Sequence, residues 1–140
     1  GDRRLDVYDA PGHAPHHYVC FDEGDGTLYA ADAVGEHYHD SAVPSTPPPS
    51  FDLSANLETV ERLRPLEPER ILFGHFGVGQ DGTRLLEQYA EELPEWVEQI
   101  RAGRERHGDD PAAIAADLPE RWDTPTLERD VWGVLVSLDR

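Results

Sequence analysis

Two β-prone runs joined by a tight-turn sequence constrain the fold of this 140-residue chain more than any other feature. Residues 17–21 and 27–31 are rich in residues that favour strands, and the five residues between them end in Asp25-Gly26. An Asp-Gly pair between two such runs is a strong signal of a β-hairpin. Together with a further β-prone run at residues 4–8, the hairpin predicts part of an antiparallel or mixed sheet.

Helical periodicity follows a proline-rich segment in the middle of the chain. Four prolines between Ser41 and Ser50 forbid a helix there and predict an extended surface loop. Apolar residues then recur every three or four positions from Leu53, until prolines at positions 65 and 68 end the pattern. The later predicted elements are a strand at 71–73, a long helix from 83 to about 106 that Pro94 should kink or divide, and helices at 111–118 and 127–138.

The acidic composition limits the partners that the chain can have. There are 29 acidic residues against 12 basic ones, every basic residue is arginine, and the net charge is −17. Such a charge repels nucleic acid and anionic membrane surfaces, so neither is an expected partner. The composition is similar to that of proteins from salt-loving organisms, with an acidic docking surface as the alternative interpretation. With one cysteine and no apolar run long enough to span a membrane, we expect a cytoplasmic protein.

Three side chains that can bind metal lie next to predicted strands, each among small residues. His13 follows the first strand, Asp32 directly follows the third, and His75 comes two residues after the fourth. A metal site needs ligands held at rigid strand ends, and neighbouring glycine or alanine lets backbone and substrate approach closely. A single histidine in such a place is more often a hydrogen-bonded turn or core residue, so the order of the three is what makes a site the favoured hypothesis.

That order resembles the second half of the metallo-β-lactamase superfamily, over residues from about 5 to 77. In that family the histidine of a Pro-Gly-His turn binds one metal, a later aspartate bridges two metals, and a final Gly-His binds the second. The resemblance assigns these roles to His13, Asp32 and His75, and makes Asp32 the expected catalytic residue. It implies an α/β (α+β) fold: half of a four-layer αββα sandwich, with one mixed sheet, flanking helices and a helical C-terminal region.

The sequence departs from the family pattern in two places. Family members carry a His-x-His-x-Asp-His motif before the Pro-Gly-His turn, whereas the twelve residues before His13 contain no histidine. We therefore expect a fragment that lacks the upstream ligands, binds metal weakly or not at all by itself, and is inactive alone. His37 and His39 do not match that motif and are expected at the rim of the cleft, with metal contact the less favoured alternative. The second departure is Ala31, where the family commonly has glycine.

Histidines 16 and 17 follow the Pro-Gly-His turn closely. Members that resemble hydroxyacylglutathione hydrolases often have a further histidine here that orients the ligands instead of binding metal. His16 or His17 is expected to do the same, against the alternative of an ordinary histidine at a strand edge. Cys20, inside an apolar strand, is expected to be a buried, unreactive thiol.

The resemblance implies a metal-dependent hydrolase that acts on a small-molecule ester, thioester or lactone. Imidazole and carboxylate ligands suit two zinc ions, with iron or manganese as alternatives, and such metals make water a nucleophile near neutral pH. We expect residues 1–82 to form the half-sandwich and residues 83–140 a helical extension packed on it. The alternative, from another class, is a non-catalytic interaction module that docks through its C-terminal helices or forms a homodimer through an uncovered sheet face.

Overall fold

The computed structural model describes residues 2–140, which form seven β-strands, four α-helices and two short 3₁₀ turns. The strands and helices in chain order are β1 (Asp6–Asp9), β2 (Tyr18–Asp22), β3 (Thr27–Ala31), β4 (Glu36–Tyr38), β5 (Ser41–Val43), α1 (Leu53–Leu63), β6 (Arg70–Phe73), β7 (Val78–Gln80), α2 (Gly82–His107), α3 (Pro111–Asp117) and α4 (Leu127–Leu138). None of the helices described over these residues is long and apolar enough to cross a membrane.

Five strands make one mixed sheet in the order β1-β2-β3-β6-β7, and β4 pairs with β5 in a separate two-stranded sheet. The predicted hairpin is the antiparallel β2–β3 pair, in which Asp22 lies opposite Thr27. β3 and β6 are parallel, and every other pair in the large sheet is antiparallel. The predicted mixed sheet is therefore confirmed. Sequence periodicity missed β4, β5 and β7, because three residues are too few to show alternation.

One face of the five-stranded sheet carries the hydrophobic core. Phe21, Leu28 and Ile71 lie opposite one another on neighbouring strands, and all three are buried. The start of α2 packs here so closely that a methyl group added to Gly79 would lie 2.4 Å from the Leu85 side chain. The absence of a side chain at position 79 thus lets the helix approach the edge of the sheet.

The opposite face of the same sheet carries an apolar row that crosses all five strands. Its members pair directly across the sheet: Val7, Cys20, Tyr29, Leu72 and Val78. Val7 is 63% exposed, Tyr29 38% and Val78 45%, while Cys20 and Leu72 are half-buried. The expectation of a buried Cys20 thiol is therefore wrong, because position 20 alternates onto this open face and is half-buried.

The long helix α2 connects the sheet to the C-terminal helices. It runs unbroken from Gly82 to His107, so Pro94 does not divide it. The Trp96 ring meets the ring of Trp122 edge to face, with the centroids 5.3 Å apart. Contacts of α2 with α1, α3 and α4 join the C-terminal region to one continuous core.

Candidate metal centre

Strand direction brings the three predicted ligands to one edge of the large sheet. β1 is antiparallel to β2, β2 is antiparallel to β3, and β3 is parallel to β6, so β1, β3 and β6 all run the same way. Their carboxyl ends therefore share an edge, from which the loops bearing His13, Asp32 and His75 emerge. Asp32 lies between the two imidazoles: its Oδ1 is 2.8 Å from His75 Nδ1, and its Oδ2 is 3.7 Å from His13 Nε2.

The turn that carries His13 is held against helix α1. The Thr59 hydroxyl donates to the Pro11 carbonyl over 2.7 Å, and the Asp52 amide donates to the Gly12 carbonyl over 2.8 Å. Gly12 has a φ of 137° and packs on Asn56, whose Cα would lie 2.4 Å from any added Cβ. Only glycine satisfies both the backbone angle and the close approach, so the Pro-Gly-His sequence has a packing reason.

A hydrogen bond decides which nitrogen of His13 faces the site. Nδ1 lies 3.1 Å from the Ser45 carbonyl oxygen, which can only accept, so this nitrogen carries the proton. In the neutral ring the Nε2 lone pair then points toward the side of Asp32. Two acceptor atoms facing each other repel unless a proton or a metal cation lies between them, and the His13 side chain is only 14% exposed. This is the orientation that a metal-binding histidine needs.

Asp32 and His75 approach each other because the residues beside them are small. An added Cβ on Gly74 would lie 2.6 Å from Asp32 Oδ1, so a side chain there would displace the carboxylate. The Gly74 amide also donates to the Ala31 carbonyl over 2.8 Å, joining the ends of β3 and β6. Ala31 has a φ of 47°, in the left-handed region that favours glycine, which accounts physically for the glycine expected at this position.

Of the two neighbouring histidines, only His17 lies beside the candidate centre. Its ring centroid is 5.6 Å from that of His13, and its buried Nδ1 has no hydrogen-bond partner among residues 2–140. Burial, and then the nearby His13 ring, lower the pKa of His17 and favour a neutral imidazole. His16 is exposed and makes no hydrogen bond to the described part of the chain.

The β4–β5 hairpin lies against the loop that bears His75. His37 Nδ1 is 3.4 Å from the Phe76 carbonyl oxygen, and the His37 ring stacks on Phe73. Tyr38 meets the Phe76 ring edge to face, whereas His39 is exposed and contacts the Tyr38 ring. His37 therefore lies on the side of the hairpin that packs against the His75 loop, whereas the contact recorded for the His39 ring is with Tyr38 on the same hairpin.

Asp32 faces His13 and His75 directly, with 2.8 Å between its Oδ1 and His75 Nδ1. Within residues 2–140, no group of three or more His, Cys, Asp or Glu side chains is spaced to hold a metal ion. The donor types nevertheless fit zinc, iron or manganese, and the fixed ring orientation of His13 provides one correctly placed donor. The other two donors form an imidazole–carboxylate pair, in which His75 is half exposed and faces Asp32 through Nδ1.

Sequence reasoning missed the polar residues that hold these loops together. Asn56 is fully buried, donates to the Ala33 carbonyl over 2.9 Å and accepts from the Tyr89 hydroxyl over 2.8 Å. It thus links the Gly12 turn, the Asp32 loop and helix α2. A signal was present: Asn56 falls on the apolar stripe of α1, three residues after Leu53 and four before Val60.

The family model for the metallo-β-lactamase superfamily matches residues 1–75, more than half of the chain. The chain therefore belongs to the metallo-β-lactamase superfamily.

Solved structures agree on the fold. A metallo-β-lactamase family protein from Thermus thermophilus is 23% identical with a TM-score of 0.63, and the match covers 98% of this chain and 44% of that one. An archaeal metallo-β-lactamase superfamily protein from Sulfolobus tokodaii is 22% identical with a TM-score of 0.64, covering 96% and 47%. A metallo-β-lactamase from Pontibacter korlensis is 20% identical with a TM-score of 0.55, covering 67% and 43%.

The chain thus spans just under half the length of the first two solved structures, while nearly all of it matches them. The mixed sheet with four helices accordingly corresponds to about half of a metallo-β-lactamase fold, as the sequence predicted. A search of curated proteins gave no match.

Proposed function

We propose that this chain contributes His13, Asp32 and His75 to the metal centre of a hydrolase that cleaves small-molecule esters, thioesters or lactones. The observation that carries the proposal is the position of Asp32, whose two oxygens face the two imidazoles at 2.8 and 3.7 Å. Membership of the superfamily supports the same assignment. Zinc is the favoured metal and two ions the favoured number, with iron and manganese as alternatives.

Each residue would have a distinct role in such a centre. His13 would bind through Nε2, since the Ser45 carbonyl holds its Nδ1 proton. Asp32 would contribute one oxygen toward each imidazole side, which is the arrangement a bridging carboxylate requires. A bound metal of this kind polarises a substrate carbonyl and makes water acidic enough to react near neutral pH. Neutral His17 would exclude bulk water from the back of the His13 ring.

Zinc affinity measured by isothermal titration calorimetry tests the ligand assignment. We expect His13→Ala and His75→Ala to weaken zinc binding at least about tenfold, and Asp32→Ala to weaken it most, because Asp32 faces both imidazoles. His107→Ala is the matched control, since that imidazole pairs with Asp117 on the C-terminal helices. Equal zinc affinity in the wild type and Asp32→Ala would contradict the proposal.

The substrate class is proposed from the resemblance of residues 11–17 to hydroxyacylglutathione hydrolases. A thioester is therefore the favoured substrate, and the 140 residues alone should show little turnover because they supply only three ligands. Relative rates on a hydroxyacyl thioester, an ester, a lactone and a β-lactam, with zinc, iron and manganese in turn, distinguish the classes even where every rate is low. Preference for the β-lactam would overturn the thioester assignment while leaving the metal centre intact.

A second candidate function is association with another copy through the open sheet face. The apolar row from Val7 to Val78 favours it, because exposed apolar side chains aligned across a sheet are rarely left in contact with water. Light scattering should then give the mass of a dimer, and Tyr29→Glu should give a monomer. Trp132→Glu is the control, since Trp132 is a comparably exposed aromatic residue on α4. A monomeric wild type would rule this candidate out.

A further inference from the structure

The acceptor that fixes the His13 ring belongs to a two-residue segment, Ser45–Thr46, which is itself tightly held. Both residues are buried although they begin the proline-rich loop. The Ser45 hydroxyl donates to Glu36 Oε1 over 3.4 Å, and the Ser45 carbonyl accepts from His13 Nδ1. Whatever places Thr46 therefore also places the carbonyl that orients His13.

Helix α4 provides the strongest contacts to this segment. The Thr46 amide donates to Asp130 Oδ1 over 3.1 Å, and the Thr46 hydroxyl donates to the Asp130 carbonyl over 2.7 Å. Trp96, on α2, donates its indole N–H to the same hydroxyl over 3.1 Å. Both the amide and the hydroxyl of Thr46 are thus paired with one residue from the far end of the chain.

The helix also approaches the segment as closely as a backbone can. An added Cβ on Gly133 would lie 1.6 Å from the Thr46 carbonyl oxygen, so position 133 admits no side chain. Asp130, one turn earlier, is 1% exposed and is itself held by the Thr126 hydroxyl over 2.8 Å and by Arg129. Several donors hold the buried Asp130 carboxylate in one orientation, and its hydrogen bonds to Thr46 fix the position of Thr46 in turn.

We propose that Asp130 is a positioning residue for the metal centre: through Thr46 and the Ser45 carbonyl it holds His13 with Nδ1 protonated and Nε2 turned toward Asp32. The proposal deepens the metal centre proposed above and rests on it for its function. It gives helix α4 a role in the site although the hydrogen bonds and ion pairs of the three central side chains over residues 2–140 involve no residue of α4. The hydrogen bond itself does not depend on a bound metal.

Nitrogen NMR of the histidine rings tests the proposal on the metal-free chain. At about pH 8, where free imidazole is neutral, we expect His13 in the wild type to be protonated at Nδ1. Asp130→Ala should move His13 toward the mixture of tautomers seen in free histidine. Asp130→Asn should restore the wild-type spectrum, because its amide oxygen can still accept from the Thr46 amide. Asp139→Ala, which removes a carboxylate paired with Arg104 from the end of α4, is the matched control.

Circular dichroism of each variant checks that it is folded. If Asp130→Ala does not fold, Thr46→Val takes its place, since it keeps the amide bond but removes the hydroxyl bond to Asp130. That variant should show a partial shift of the His13 tautomer. An unchanged tautomer in a folded Asp130→Ala, or in Thr46→Val where Asp130→Ala is unfolded, would overturn the proposal.

Zinc affinity separates this inference from the proposed function. We expect Asp130→Ala to bind zinc about tenfold more weakly than the wild type, and Asp130→Asn to bind it normally. A tautomer shift in a protein that binds no zinc would leave the positioning role standing and remove the metal centre. If zinc binding requires Asp32 but the His13 tautomer is unchanged in Asp130→Ala, the metal centre stands and the positioning role of Asp130 is overturned.

Discussion

The two faces of the five-stranded sheet are built from the same strands but differ in what they meet. On one face Phe21, Leu28 and Ile71 are buried in the hydrophobic core. On the other, the row from Val7 to Val78 remains open to solvent over residues 2–140. Side chains alternate between the faces, so neighbouring residues on one strand experience opposite environments. The contrast shows that the stability an apolar residue contributes depends on which face of the sheet its side chain occupies, and not on its being apolar alone.

The largest expected effect comes from two adjacent positions on β6. Ile71→Ala should lower the free energy of unfolding by about 2–5 kcal/mol, because Ile71 is fully buried and its loss leaves a cavity. Leu72→Ala, on the open face, should cost about 1 kcal/mol or less. Urea denaturation measures both. If the two variants lose equal free energy of unfolding, the two faces do not differ and the open face is covered in solution.

The next largest effect tests the polar links on the covered side of the sheet. Asn56→Ala should cost about 2–4 kcal/mol, because it leaves the Ala33 carbonyl and the Tyr89 hydroxyl buried without their partner. Ser54→Ala, an exposed position on the same helix, should change stability by less than about 0.5 kcal/mol. Thermal denaturation compares the two. A small effect at Asn56 would show that helix packing holds the Gly12 turn without this residue.

A smaller effect concerns a buried charge. Burial, and then the nearby Asp130 carboxylate, raise the pKa of Glu36, whose Oε2 has no partner among the described residues. The contribution of Glu36 to stability is therefore present below its unfolded pKa of about 4.3 and is lost as pH rises through the higher folded pKa. Glu36→Gln should unfold at a higher urea concentration than the wild type at pH 7, with the difference vanishing at acid pH. A constant difference across pH would contradict the assignment.

The smallest effect lies where β3 leaves the sheet. Ala31→Gly should stabilise the fold by about 0.5–1 kcal/mol, because glycine removes the strain of a positive φ but gives the unfolded chain more freedom. Ala30→Gly is the control: Ala30 is buried with no positive φ, so this change should destabilise. Differential scanning calorimetry resolves the opposite signs. Destabilisation in both would show that Ala31 is not strained.

Much of the architecture could be predicted from local pattern. The Asp25-Gly26 turn predicted the β2–β3 hairpin, and the sequence pattern predicted all four helices because each spans about two turns or more. The candidate site could be predicted only as three side chains at strand ends. The sequence pattern did not predict the three-residue strands β4, β5 and β7. It also did not identify Asn56 and Asp130, each a polar residue at an apolar position of its helix. The partners through which they join distant segments, Ala33, Tyr89 and Thr46, lie 23 to 84 residues away, beyond any local pattern.

The sequence by itself determined the strands β1, β2, β3 and β6, the four helices, and the order in which His13, Asp32 and His75 follow those strands, because turn chemistry and apolar spacing act between near neighbours. Only the tertiary structure decided that β1, β3 and β6 run the same way and bring those side chains to one edge. It alone joined Asp130 to Thr46, and Ser45 to His13. Those contacts arise from packing between segments that are distant along the chain, and packing is set by the whole core at once.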